Sequence, residues 1–141
     1  MTPLIDNPLL PGAEPFSHRG SRTGALLCHG FTGSPHSMRP WAEHLADAGL
    51  SVEVPLLPGH GVAWQDMNLT SSDDWYAAVE EALLALASRC DEVYVMGLSM
   101  GGALSVRLAQ EHPDLVQGVV LVNPSLVVED LRLPFIAPIR H

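Results

Sequence analysis

Val93-Tyr94-Val95-Met96-Gly97-Leu98-Ser99-Met100-Gly101-Gly102-Ala103-Leu104 is the stretch on which the fold turns. With Glu92 before it, the run to Met96 reads as a short strand, Glu92 to Met96, of the largely apolar kind buried on both faces. From Met100 the pattern predicts a helix of about ten residues, ending at His112-Pro113 because proline cannot continue helical backbone. Strand and helix meet within Gly97 to Gly101, with Ser99 at the centre of the turn. So tight a turn forces strained angles on its central residue, and Gly97 and Gly101 remove the β-carbons that would collide with it. The Ser99 hydroxyl is thereby held above the sheet edge. The helix N-terminus directs free N–H groups and partial positive charge at the same place, which suits a developing oxyanion. Ser99 is therefore a candidate nucleophile. Without its flanks the same serine would be an ordinary N-cap in a glycine-rich turn, and G-x-S-x-G recurs by chance in many sequences.

Working outward, Ala25-Leu26-Leu27-Cys28 is another continuous apolar run, ended by His29-Gly30. Met38, Trp41, Ala42, Leu45 and Ala48 recur at helical spacing, and Gly49 stops the helix. Leu50 to Pro55 reads as a strand and Leu56 to Thr70 as a long loop. Ser71 with Asp74 resembles a capping box, after which Trp75, Val79, Leu83 and Leu86 form an apolar stripe opposite Glu80 and Glu81. Val116 to Val122 is a fourth strand. Strands alternating with helices predict an α/β fold, a mostly parallel sheet covered by helices on both faces. Three segments follow: 1–23, an extended or hairpin lead-in; 24–125, the core; and 126–141, where Pro134 and Pro138 interrupt the apolar pattern at the start of a lid or tail. Val116 to Val122 is apolar enough for a central strand yet ends this sheet. The open edge predicts poor solubility for the isolated 141 residues.

A composition 47% hydrophobic and 16% charged fits one soluble globular domain. The net charge is -9, from sixteen carboxylates against seven arginines and no lysine, so no basic stripe is available for nucleic acid. The same surface gives no attraction to anionic lipid headgroups and favours a neutral substrate. Cys28 and Cys90 stand apart beside strand-like runs and read as buried free thiols. A cytoplasmic protein is expected, since residues 1–20 lack a basic segment followed by an apolar one, and stable membrane insertion is not expected. No metal-ligand spacing such as HExxH is present, and no cofactor is implied. Oligomeric state has no signature.

Ester chemistry at a serine needs two backbone donors aimed at the carbonyl oxygen as it becomes negative. One comes from the residue after the nucleophile, here Met100. The other is expected from Phe31 in His29-Gly30-Phe31-Thr32-Gly33, a turn whose glycines permit close approach. Each donor is worth about 3 kcal/mol in the transition state.

With Leu26 to Pro35, Pro55-Leu56-Leu57-Pro58-Gly59-His60-Gly61, Asp74-Trp75 and Gly97 to Gly102 in this order and spacing, the chain resembles the α/β-hydrolase family. The likeness is to its carboxylesterase and monoacylglycerol lipase branch, from Gly24 to Asn123. It implies Ser99 as nucleophile and an oxyanion hole built from Phe31 and Met100, with the triad acid and histidine after two further strands beyond this chain. It also makes 126–141 the start of a cap.

His29 and His60 precede Ser99, whereas this fold supplies Ser, then Asp or Glu, then His, so both read as loop architecture. His18, His36 and His44 are expected to face water. Glu111, His112 and Asp114 lie about 15 Å away at the far end of the helix, as a solvated terminus. Glu129, Asp130 and His141 have no assigned role. The expected function is a serine hydrolase cleaving neutral esters of apolar acyl groups through an acyl-serine, with Phe31, Leu56, Leu57 and Trp64 near the rim. By itself the fragment is expected to be nearly inactive. The alternatives are a non-catalytic binding protein on the same fold, or thioesterase, peptidase, acyltransferase or haloperoxidase activity at the same serine.

Overall fold

A computed structural model describes residues 7–126; beyond Leu126 the expected cap or tail lies outside the described residues. The elements run β1 (Phe16–His18), β2 (Thr23–Cys28), α1 (Pro35–Asp47), β3 (Ser51–Val54), α2 (Trp64–Met67), α3 (Ser72–Ala87), β4 (Glu92–Leu98), α4 (Met100–Glu111) and β5 (Val116–Val122). One sheet contains all five strands in the order β1-β3-β2-β4-β5. The last four are parallel and β1 is antiparallel to β3.

The continuous apolar run of β2 follows from its central place. Successive side chains of a strand point to opposite faces. Leu26 and Cys28 pack with Val79, Leu83 and Leu86 of α3 and Leu104 and Leu108 of α4. Ala25 and Leu27 pack on the other face with Met38 and Ala42 of α1. Both faces are dry, so polar alternation is absent.

Local signals account for the helix starts. α1 begins three residues before its first predicted residue, because Ser34 caps the His36 amide and Pro35 is preorganised for the first turn. α3 carries the predicted capping box: Ser71 N–H donates to Asp74 Oδ2 at 2.8 Å and Asp74 N–H to Ser71 Oγ at 3.3 Å. The long loop after β3 contains a single helical turn, α2, too short to show an apolar period.

The far end of α4 is more engaged than a solvated terminus. Tyr76 donates to Glu111 Oε2 at 2.8 Å, His112 Nε2 lies 2.6 Å from Glu80, and the Arg107 guanidinium stacks 3.8 Å above the Tyr76 ring. α3 and α4 lie side by side, and these polar groups tie them; Asp114 stays exposed.

Among the described residues β5 is an edge strand, with Val119 to Val122 between 36% and 43% exposed. None of the described helices is long and apolar enough to cross a membrane.

From β2 the chain moves outward to β3, then returns to the other side of β2 to form β4. The carboxyl ends of β2 and β4 therefore flank the point where strand order reverses, where open α/β sheets bind ligands. Cys28 pairs in register with Gly97. The turns that follow, His29-Gly30-Phe31 and Leu98-Ser99-Met100, are thus set side by side.

Candidate active site

Ser99 adopts φ 55° and ψ -118° between β4 and α4. Positive φ in a residue with a β-carbon costs about 1–3 kcal/mol and persists only where surrounding structure enforces it. The enforcement is visible on every side. A β-carbon on Gly97 would lie 2.2 Å from the Gly101 carbonyl oxygen, and one on Gly101 would lie 2.0 Å from the Cys28 carbonyl oxygen. Ser99 N–H donates to Val122 O at 3.0 Å, and Ser99 O accepts from Gly102 N–H at 2.9 Å and Ser125 N–H at 3.1 Å.

The Ser99 hydroxyl lies 3.2 Å from Ser125 Oγ, its hydrogen-bond partner among the described residues. Ser125 was not singled out in the sequence. It is brought there by Asn123-Pro124, where Asn123 takes φ 44° and Pro124 packs so closely that a β-carbon on Gly102 would meet it at 2.8 Å. The second glycine of Met100-Gly101-Gly102 was the available signal.

Gly30 abuts Ser99: a β-carbon there would lie 3.4 Å from Ser99 Cβ and 4.0 Å from Ser99 Oγ. The amides of Phe31 and Met100 have no acceptor among the described residues. The Met100 amide belongs to the first turn of α4, where helical N–H groups lack internal partners. The Phe31 amide leaves a turn closed by Gly33 N–H donating to Gly30 O at 3.1 Å, with Thr32 held at φ 62°.

Behind this turn His29, His60, Phe31 and Trp75 form an aromatic cluster. His29 and His60 meet edge-on with centroids 5.2 Å apart, and Phe31 lies 5.9 Å from Trp75 and 6.1 Å from His60. Burial pushes His29 down to about 4 and lowers His60 as well, so both rings are neutral at neutral pH. His29 Nε2 accepts from Leu57 N–H at 3.1 Å and His60 Nδ1 donates to Pro58 O at 3.0 Å. His36 and His44 are exposed; His18 is half-buried in β1.

Leu57 is not at the rim, where it was expected. Its bond to His29 draws the loop inward and the side chain is fully buried against Leu83 and Leu86. Phe31 and Trp64 are exposed, at 56% and 68%. Cys28 and Cys90 are buried free thiols, and burial pushes Cys28 up to about 12. Glu129, Asp130 and His141 lie outside the described residues.

The model of the alpha/beta hydrolase fold family matches residues 26–139. The chain belongs to the α/β-hydrolase fold family. Among its α/β-hydrolase relatives is the thermostable monoacylglycerol lipase of Bacillus sp. (strain H-257), 50% identical over 119 residues, which are 84% of this chain and 47% of that protein. The carboxylesterase of Bacillus subtilis (strain 168) is 32% identical over 108 residues, 76% of this chain and 43% of that one. A solved structure from work on two metagenome-derived lipolytic enzymes superimposes with a TM-score of 0.85 at 45% identity. It matches 92% of this chain and 53% of the other. The chain spans about half the length of the curated relatives it matches.

Proposed function

We propose that this chain carries the nucleophile and oxyanion hole of a serine hydrolase that cleaves carboxylic esters, and that the triad acid and histidine are supplied by sequence beyond it. The observation that carries this reading is the backbone of Ser99. A non-glycine residue held at φ 55° between a buried strand and a helix N-terminus is the strained turn that a nucleophile elbow requires. The names of the relatives, lipase and esterase, support ester chemistry at that serine.

In this reading Ser99 Oγ attacks the acyl carbonyl as a histidine takes its proton. The carbonyl oxygen, now negative, accepts from Phe31 N–H and Met100 N–H. Collapse of the tetrahedral intermediate expels the alcohol, which leaves with the proton carried by the histidine. Water then attacks the acyl-serine and releases the acid. The hydrogen bond of Ser99 to Ser125 gives way to the histidine, because a neutral hydroxyl is too weak a base to take the proton.

A neutral ester with an apolar acyl group fits best. Phe31 exposes aromatic surface at the site, Trp64 lines an apolar hollow with Thr32 and Gly33 of the same turn, and a chain of net charge -9 repels anionic substrates. A series of p-nitrophenyl esters of graded chain length, assayed with the full-length protein and with Ser99→Ala, tests the reading. Turnover that vanishes in Ser99→Ala is expected. No turnover of any ester, or activity retained in Ser99→Ala, defeats it.

A further inference from the structure

We propose that His29 is a positioning residue that aims the Phe31 amide into the oxyanion hole by holding the carbonyl of the same peptide group from behind. The inference rests on the oxyanion role of Phe31 given above.

The two ring contacts of His29 settle its tautomer. Leu57 N–H can only donate, so Nε2, at 3.1 Å, is the bare nitrogen. Gly30 O can only accept, so Nδ1, at 3.0 Å, carries the proton. The ring is fully buried, and its lowered proton affinity keeps it in this neutral form.

Gly30 O and Phe31 N–H belong to one trans peptide plane and point in opposite directions. Two donors, His29 Nδ1–H and Gly33 N–H, converge on Gly30 O. Turning the Phe31 N–H away from its present direction swings Gly30 O off both donors. Gly30 has no side chain to resist such a rotation, and a β-carbon there would sit tightly against Leu98 O at 3.3 Å and Ser99 Cβ at 3.4 Å. The glycine that lets the turn approach Ser99 thus leaves its peptide soft, and His29 supplies the missing rigidity. Leu57 in turn fixes the ring, since its N–H holds Nε2 while its side chain is locked in the core.

The separation of the two bonds makes a test. In Asn the amide nitrogen overlays Nδ1, so His29→Asn keeps the donor to Gly30 O and loses the acceptor for Leu57 N–H. In Gln the terminal group overlays Nε2, so His29→Gln keeps the Leu57 contact and loses the donor. For His29→Gln in the full-length protein, kcat on a p-nitrophenyl ester falls roughly 10²-fold, with KM within about 3-fold. Inhibition by a boronic acid, whose tetrahedral adduct places an oxygen in the hole, weakens in step. His29→Asn keeps kcat within about 5-fold of wild type even though the unpaired Leu57 N–H lowers its melting temperature. Equal kcat losses in the two variants, or an unchanged kcat in His29→Gln, overturn the proposal. Wild-type protein that hydrolyses no ester overturns the underlying oxyanion reading instead. Independently of any variant folding, ring nitrogen NMR of the wild type is expected to show the proton on Nδ1; a proton on Nε2 overturns the assignment.

Discussion

Gly101→Ala adds one methyl group where the chain has least room. The new carbon would lie 2.0 Å from the Cys28 carbonyl oxygen, 2.6 Å from its carbonyl carbon and 2.6 Å from the His29 carbonyl oxygen. All three are backbone atoms, so no rotamer change relieves the contact, and β2 and the start of α4 must part by about 1 Å. A displacement of that size at a reacting centre costs about 10²-fold in rate. Overpacking costs about 1–3 kcal/mol, and collision with the backbone at the end of a central strand puts this variant near the top of that range. Better helix propensity, which is largely the reduced flexibility of the unfolded chain, returns about 1 kcal/mol. A net loss of about 2 kcal/mol is expected in urea unfolding, with kcat/KM down about 10²-fold on a p-nitrophenyl ester. Gly49→Ala is the control, because its β-carbon meets nothing within 4 Å although φ is +95°. It should cost about 1–2 kcal/mol through strain alone and leave kcat/KM unchanged. Gly101→Ala with wild-type stability and turnover would refute the claim that glycine packing sets the elbow.

Three other outcomes follow from the same geometry. Ser99→Gly removes the penalty of φ 55° and should raise unfolding stability by about 1 kcal/mol while abolishing ester turnover, as read by urea titration and p-nitrophenyl ester assay. Ser71→Ala removes the α3 capping box and should lower stability by about 1 kcal/mol with kcat unchanged, by the same two measurements. His29 titrates at about 4 when folded, below its ordinary 6.5, so the unfolded chain takes up the proton first. Its contribution is complete above pH 6.5 and fades as pH falls toward 4. The loss reaches about 3 kcal/mol in denaturant titrations across that window and is absent in His29→Asn.

Much of the fold was legible because its signals are local. Ala25 to Cys28 reads as a doubly buried strand since both faces of β2 meet helices, and the capping box of α3 needs only Ser71 and Asp74. What was not legible depends on pairing across distance. β1 joins β3 rather than its chain neighbour, and three residues carry too little pattern to show it. α2 is one turn long, below the length at which a helical period can be seen. At the site, the order of motifs pointed to Ser99, Phe31 and Met100, because the glycines around them are needed for backbone approach. Leu57 was misplaced for the converse reason. Whether an apolar residue in a loop faces outward or inward is decided by a partner elsewhere, here the ring of His29 twenty-eight positions earlier. The links from Glu111 and His112 to α3 were hidden in the same way.

The central claim is that Ser99 is a nucleophile, and mass spectrometry of full-length protein treated with a fluorophosphonate tests it most directly. One adduct is expected, on the peptide containing Ser99, and none in Ser99→Ala. Folded protein that stays unlabelled, or that carries its adduct on Ser105 or Ser125, would contradict it.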